Sequence, residues 1–151
     1  MLLEAMVLAS MLAGAMWRVL RMTLQHANDR IQFGRSLSKF QAIQHQIAVM
    51  AEHSAMARTA ARLACDSDGY QADAHHVAIA KSVTSEAAPL IAAMGHAIHG
   101  AIGITAEYDL QLFSRRLHEW RLCAGSEVFW NRRIGSAMID SKEDRIVDFI
   151  R

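Results

Sequence analysis

Histidine is the side chain with the widest chemical reach in this sequence, and there are eight of them. A di-metal centre inside a helical bundle takes a Glu-x-x-His pair from each of two helices and two more carboxylates. No Glu-x-x-His occurs here, and the nearest approach, Asp73 with His76, stands alone. His75 and His76 are adjacent and leave a helix in different directions, whereas His96 and His99 can share a face. The pattern predicts capping, surface and core histidines and no metal site. Cys65 and Cys123 form no Cys-x-x-Cys pair and read as two free thiols in a reducing cytoplasm. No phosphate-binding loop, nucleophile elbow or dinucleotide fingerprint is present. His99-Gly100-Ala101-Ile102-Gly103 holds two glycines but follows a helical pattern, where glycine serves as a stop or allows close backbone approach.

The elements that would position these groups are helical. Hydrophobic residues make up 52% of the 151, with one proline, which excludes a disordered chain and allows one domain with a substantial core. A formal net charge of +1 and the lack of a basic run give no reason to expect nucleic acid as partner. Apolar spacing predicts a first helix over about 2–29, with Leu3, Met6, Ala13, Met16, Leu20, Leu24 and Ala27 as its buried stripe. The apolar run 1–17 lacks a cationic start and is shorter than a bilayer span of ~20 residues, so it reads as a core helix and not as a leader or membrane segment.

A second helix is expected from an N-cap near Ser38 to about Asp68, its stripe running Phe40, Ile43, Ile47, Met50, Ser54, Ala57, Ala61 and Ala64, with a turn at Asp66-Ser67-Asp68-Gly69. A third, over about 72–99, carries Val77, Ala80, Thr84, Ala87, Ile91, Met94 and Ile98, with a kink or break at Pro89. Shorter helices follow over about 109–119 and 126–138, then a charged tail with a possible last short helix. No strand signal stands out. The expected architecture is all-α, an antiparallel up-down four-helix bundle with short extra helices. Trp17, Trp120, Phe129 and Trp130 read as exposed apolar surface that marks a subunit interface.

Several weak motifs occur in a telling order. A long helix leads into Arg30-Ile31-Gln32-Phe33-Gly34, and Phe40-Gln41 opens the next. The third ends in His99-Gly100-Ala101-Ile102-Gly103-Ile104-Thr105-Ala106-Glu107-Tyr108-Asp109-Leu110, and Ala124-Gly125-Ser126-Glu127 opens the last. Together, over about residues 4–138, they resemble the C-terminal domain of acyl-CoA dehydrogenases. The resemblance implies an enzyme that removes hydrogen across the α,β bond of an acyl-CoA thioester, with FAD shared between subunits of a homodimer or homotetramer and electron-transfer flavoprotein as electron acceptor.

It further implies that Arg30 contacts the FAD pyrophosphate through a guanidinium fork, and that Gln32, Phe33, Gln41, Gly100 and Gly103 lie near the cofactor. Where the family shows Gln-x-x-Gly-Gly-x-Gly, Ala97 and Ala101 replace the glutamine and the second glycine. The usual glutamate base before the last helix is also missing, since Cys123 or Ala124 takes its place. Some family members carry the base on the first helix of this domain instead. Glu4 falls at that position and is expected as the catalytic base, its pKa raised by an apolar setting. Its other reading is a first-turn glutamate complementing the helix dipole. The expected organisation is the bundle domain over 1–140 and a charged tail over 141–151, without the family's N-terminal helical and middle β-barrel domains, so the chain is not expected to be active by itself. A base-less partner subunit, a related flavin oxidase or hydroxylase, and a non-enzymatic helical assembly module are the alternatives.

Overall fold

A computed structural model describes residues 1–66 and 72–141 of the chain. Five helices account for most of it: α1 (Leu2–Asp29), α2 (Gln41–Cys65), α3 (Ala74–His99), α4 (Leu110–Trp120) and α5 (Glu127–Asp140). Contacts at the helix ends give their directions. His26 in the last turn of α1 stacks on His99 in the last turn of α3, with ring centroids 4.4 Å apart, so these two helices run parallel. Ser10 near the start of α1 lies 3.4 Å from Cys65 at the end of α2, which makes α2 antiparallel to α1. Ser114 of α4 bonds His96 while the carbonyl of Arg121 lies 2.9 Å from Lys81, so α4 descends α3. The expected all-α, up-down order of α1 to α4 is thus present, and α5 packs on the first half of α3.

Small residues permit this packing. Ala5 and Ala9 of α1, Ala60 and Ala64 of α2, and Ala78 and Ala80 of α3 are buried together with Trp130 in one cluster. The main core lies further along, where Leu12, Met16 and Val19 of α1 meet Met50 and Ala57 of α2, Ile91 of α3, and Leu110 and Leu117 of α4. The expected stripes of α2 and α3 are buried or half-buried along nearly their whole length. The expected stripe of α1 needs correction at its ends: Leu3 is 61% exposed and Leu24 is 40% exposed. Ala5, Ala9, Leu12, Val19 and Thr23 are buried in their stead, a rotated face.

Other differences are local. α2 starts at Gln41 with Phe40 in the cap position, because 37–39 form a separate 3-10 turn that takes up Ser38. Asp73 caps α3, accepting from the backbone N–H groups of His75 and His76 at 2.8 and 2.9 Å. Pro89 does not break α3, which continues unbroken to His99. A two-stranded hairpin, β1 (Ile31–Gln32) with β2 (Arg35–Ser36), occurs where no strand was expected. Trp130 is 1% exposed and belongs to the core, not the surface. The turn expected at Gly69 and the tail beyond Ser141 lie outside the described residues. By length and composition α1 and the segment from Ala74 to Ile104 could each cross a bilayer, so the 17-residue length of the first apolar run does not by itself exclude a span. In this fold both are central bundle helices, with one face buried against the others.

Candidate functional site

Three helix ends meet at one end of the bundle, and they carry most of the candidate binding residues. Arg30 caps α1, donating its backbone N–H to His26 and accepting from Leu37 at 2.9 Å. The chain then reverses through Phe33 and Gly34, with φ of 52° and 78°. Two successive positive φ values make the tight turn whose twist suits a two-residue hairpin. Glycine adopts this conformation freely and phenylalanine does not. The Phe33 ring is nonetheless 91% exposed, touching only the edge of Phe40 at 6.2 Å. Arg35 lies 4.1 Å over the other aromatic, Phe40. The guanidinium of Arg30 is exposed and makes no ion pair among the described residues. Gln41 is exposed at the start of α2, and the Gln32 amide folds back on Ile31 O at 2.9 Å.

The glycine segment ends α3 at the same end of the bundle, where His99 stacks on His26. Gly100 has φ 64° and ψ −145°, a conformation open to glycine alone, and is exposed. Gly103 faces the opposite way, into the fold. A Cβ there would lie 2.9 Å from His99 Cβ and 3.0 Å from Leu110 Cδ2. Its small size serves packing against α4, whereas Gly100 is free to face a ligand. His99 and His26 are held largely neutral. Burial lowers the pKa of His99, against the Gly95 carbonyl that accepts from it at 2.7 Å. Burial also lowers His26, assisted by Arg30 and opposed by Asp29. A cavity of about 350 Å³ opens next to them, lined by Arg18, Gln25, His26, Asp29 and Tyr108 among others.

The candidate base is at the far end of the bundle. Twenty-six residues of helix at 1.5 Å each separate Glu4 from Arg30 by about 39 Å along the axis. Glu4 is exposed in the first turn of α1, so the burial expected around it is not supplied by this chain. Its neighbours Leu2, Ala5 and Met6 nevertheless pack in the same cluster as Ala124. Ala124 and Glu4 therefore share one end of the bundle.

The loop that carries Ala124 is held by groups that the sequence did not single out. Ala124 and Gly125 both have positive φ, 52° and 95°. Trp130 donates its indole N–H to Ala124 O at 3.0 Å. Lys81 is fully buried, and its ammonium donates to Ser85 Oγ at 2.7 Å and to the carbonyls of Arg121 and Gly125 at 2.9 Å each. Burial pushes its pKa down to about 8, with Arg121 adding to the effect and Cys123 and Glu127 opposing it. Arg121 pairs with Glu127. Burial alone would raise Glu127, but the bond and charge of Arg121 bring it below the usual carboxylate range. A lysine buried at an i, i+4 spacing from a serine was the one signal available, and it is a faint one.

Comparison with known proteins gives this arrangement a context. Residues 1–138 match the family model described as "Acyl-CoA dehydrogenase, C-terminal domain". The chain is 37% identical over 114 residues to acyl-CoA dehydrogenase IpdE2 of Mycobacterium tuberculosis, covering 76% of this chain and 35% of that one. It is 38% identical over 136 residues to acyl-CoA dehydrogenase FadE34 of the same organism, covering 87% and 19%. Among solved structures, an acyl-CoA dehydrogenase from Geobacillus kaustophilus superposes with a TM-score of 0.83 at 26% identity, covering 91% of this chain and 36% of that one. The chain thus spans about a third or less of the length of these relatives.

Proposed function

The chain belongs to the acyl-CoA dehydrogenase family as its C-terminal domain, and from that premise we propose that it serves as the FAD-contacting and subunit-joining domain of an enzyme that dehydrogenates an acyl-CoA thioester between its α and β carbons. The supporting observation is the convergence at one bundle end of Arg30, exposed and without an ion pair among the described residues, an exposed Gln41, the exposed Phe33 hairpin and the glycine-only bend at Gly100. These groups fit a phosphate-bearing, planar cofactor. The guanidinium can fork onto two phosphate oxygens, Gln32 and Gln41 bring amides to the same edge, and Phe33 offers an apolar face. Gly103 supports the bend from inside. Bound FAD supplies the hydride acceptor. What the chain itself adds to the reaction is the carboxylate of Glu4, which takes the α-proton, with Ala124 leaving room beside it.

Assembly with the remaining domains of such an enzyme would enclose Glu4, which this chain leaves exposed. Homodimers or homotetramers, acyl-CoA as substrate, electron-transfer flavoprotein as acceptor and a cytoplasmic location follow from the same reading. The exposure of Glu4 favours one second reading, a base-less partner subunit that only binds FAD and assembles. Glu4→Gln in the assembled flavoprotein separates the two. Loss of the base lowers turnover by roughly 10²–10⁴-fold with the flavin absorbance retained. Unchanged turnover would rule out Glu4 and leave the partner-subunit reading.

A further inference from the structure

The one buried ammonium of the described core belongs to Lys81, on the loop side of α3. Three protons on Lys81 Nζ meet three acceptors, and two of these are the carbonyls at the two ends of the loop between α4 and α5, Arg121 and Gly125. The third, Ser85 Oγ, itself donates to Arg121 O at 3.2 Å. The last two residues of this stretch, Ala124 and Gly125, have positive φ, a conformation that strains a residue with a Cβ. Such strain persists only where the surroundings over-determine it. Gly125 cannot be relieved by another residue, because a Cβ there would come within 2.6 Å of the Phe129 ring and 2.8 Å of Trp130 Nε1.

A buried cation that only filled space would not be matched to acceptors on both sides of a strained loop, since removing an ammonium from water is costly unless its bonds are used. We propose that Lys81 is a positioning residue. It clasps both ends of the 121–125 loop and keeps Ala124 in its left-handed conformation next to the first turn of α1. This rests on the reading of that end as the proton-abstraction site, and the loop's order can be measured without any turnover.

Hydrogen exchange by mass spectrometry on the chain, wild type against Lys81→Met, follows the peptide over 121–126 and an internal reference over 87–95. Met fills the space and offers no donor. Exchange over 121–126 should speed by about tenfold or more with the reference unchanged. Equal exchange in both segments overturns the proposal, whatever the reaction proves to be. If Lys81→Met does not fold, Ser85→Ala removes one partner without stranding the loop carbonyls, and a selective rise of about threefold over 121–126 is the supporting result; no rise overturns it. In the assembled flavoprotein, Lys81→Met should lower kcat by about tenfold or more with KM for acyl-CoA nearly unchanged and the flavin spectrum intact. A loop that loosens with kcat unaltered overturns the catalytic part. A wild-type flavoprotein that does not oxidise acyl-CoA refutes the parent reading and leaves the exchange result standing.

Discussion

Phe33 pays twice for its place: a left-handed backbone and an aromatic ring turned almost wholly to water. Neither favours this chain by itself. Asparagine suits both conditions, since its short polar side chain tolerates positive φ. Phe33→Asn should therefore stabilise the chain by roughly 0.5–1 kcal/mol, read as a higher denaturant midpoint with an unchanged slope. A lower midpoint would mean that the edge contact with Phe40 outweighs the strain. At this scale the sequence was legible where a residue's type stated its place, as with Asp73 at the start of α3, whose carboxylate caps the helix. It was not legible at Lys81, because a single lysine in an apolar helix looks the same whether it snorkels to solvent or turns inward to loop carbonyls distant in sequence.

Helices α2 and α3 were readable in buried face because their core positions recur at helical spacing along the whole element. In the first half of α1 only Glu4 and Ser10 interrupt a run of apolar and small residues up to Trp17, so period alone could not fix which face turned inward there. The hairpin escaped notice because its central pair is Phe-Gly rather than Asn-Gly, the usual signal for that turn. The unbroken course of α3 through Pro89 shows packing on three sides overriding the loss of one donor. The paired ends of α1 and α3 carry a pH dependence. His26 and His99 both titrate below 6.5 in the fold, with Asp29, Arg30 and His96 acting on them. Between the folded pKa and 6.5 the unfolded chain binds more protons. Their contribution to stability is thus complete above 6.5 and is lost as pH falls through that window. Urea midpoints should decline from pH 7 to pH 5, and His99→Phe, which keeps a ring against His26 without its titration, should decline less steeply. Equal slopes would show that the stack has no linked proton.

Across the whole molecule, apolar side chains remain uncovered on both sides of the Glu4 end: Leu3, Val7 and Met11 along α1, and Leu122, Val128 and Phe129 around the α4–α5 loop. Trp17 and Phe129, expected at the surface, are among the exposed residues, and Trp130 is not. Single exposed hydrophobics are ordinary, but a run of this kind argues for a covering partner. Sedimentation equilibrium across the micromolar range should show dimers or tetramers, and an ideal monomer throughout would count against the subunit-joining role. The length of α1 bears on how such an assembly shares its work. If Arg30 holds the phosphates and Glu4 lies beside the ring, as proposed, the ~39 Å between them along the helix assigns the two groups to different cofactors. Under the proposed function each copy would serve two cofactors, holding the phosphate tail of one and drawing a proton beside the ring of the next, so that damage to a single protomer would be felt in two catalytic centres at once.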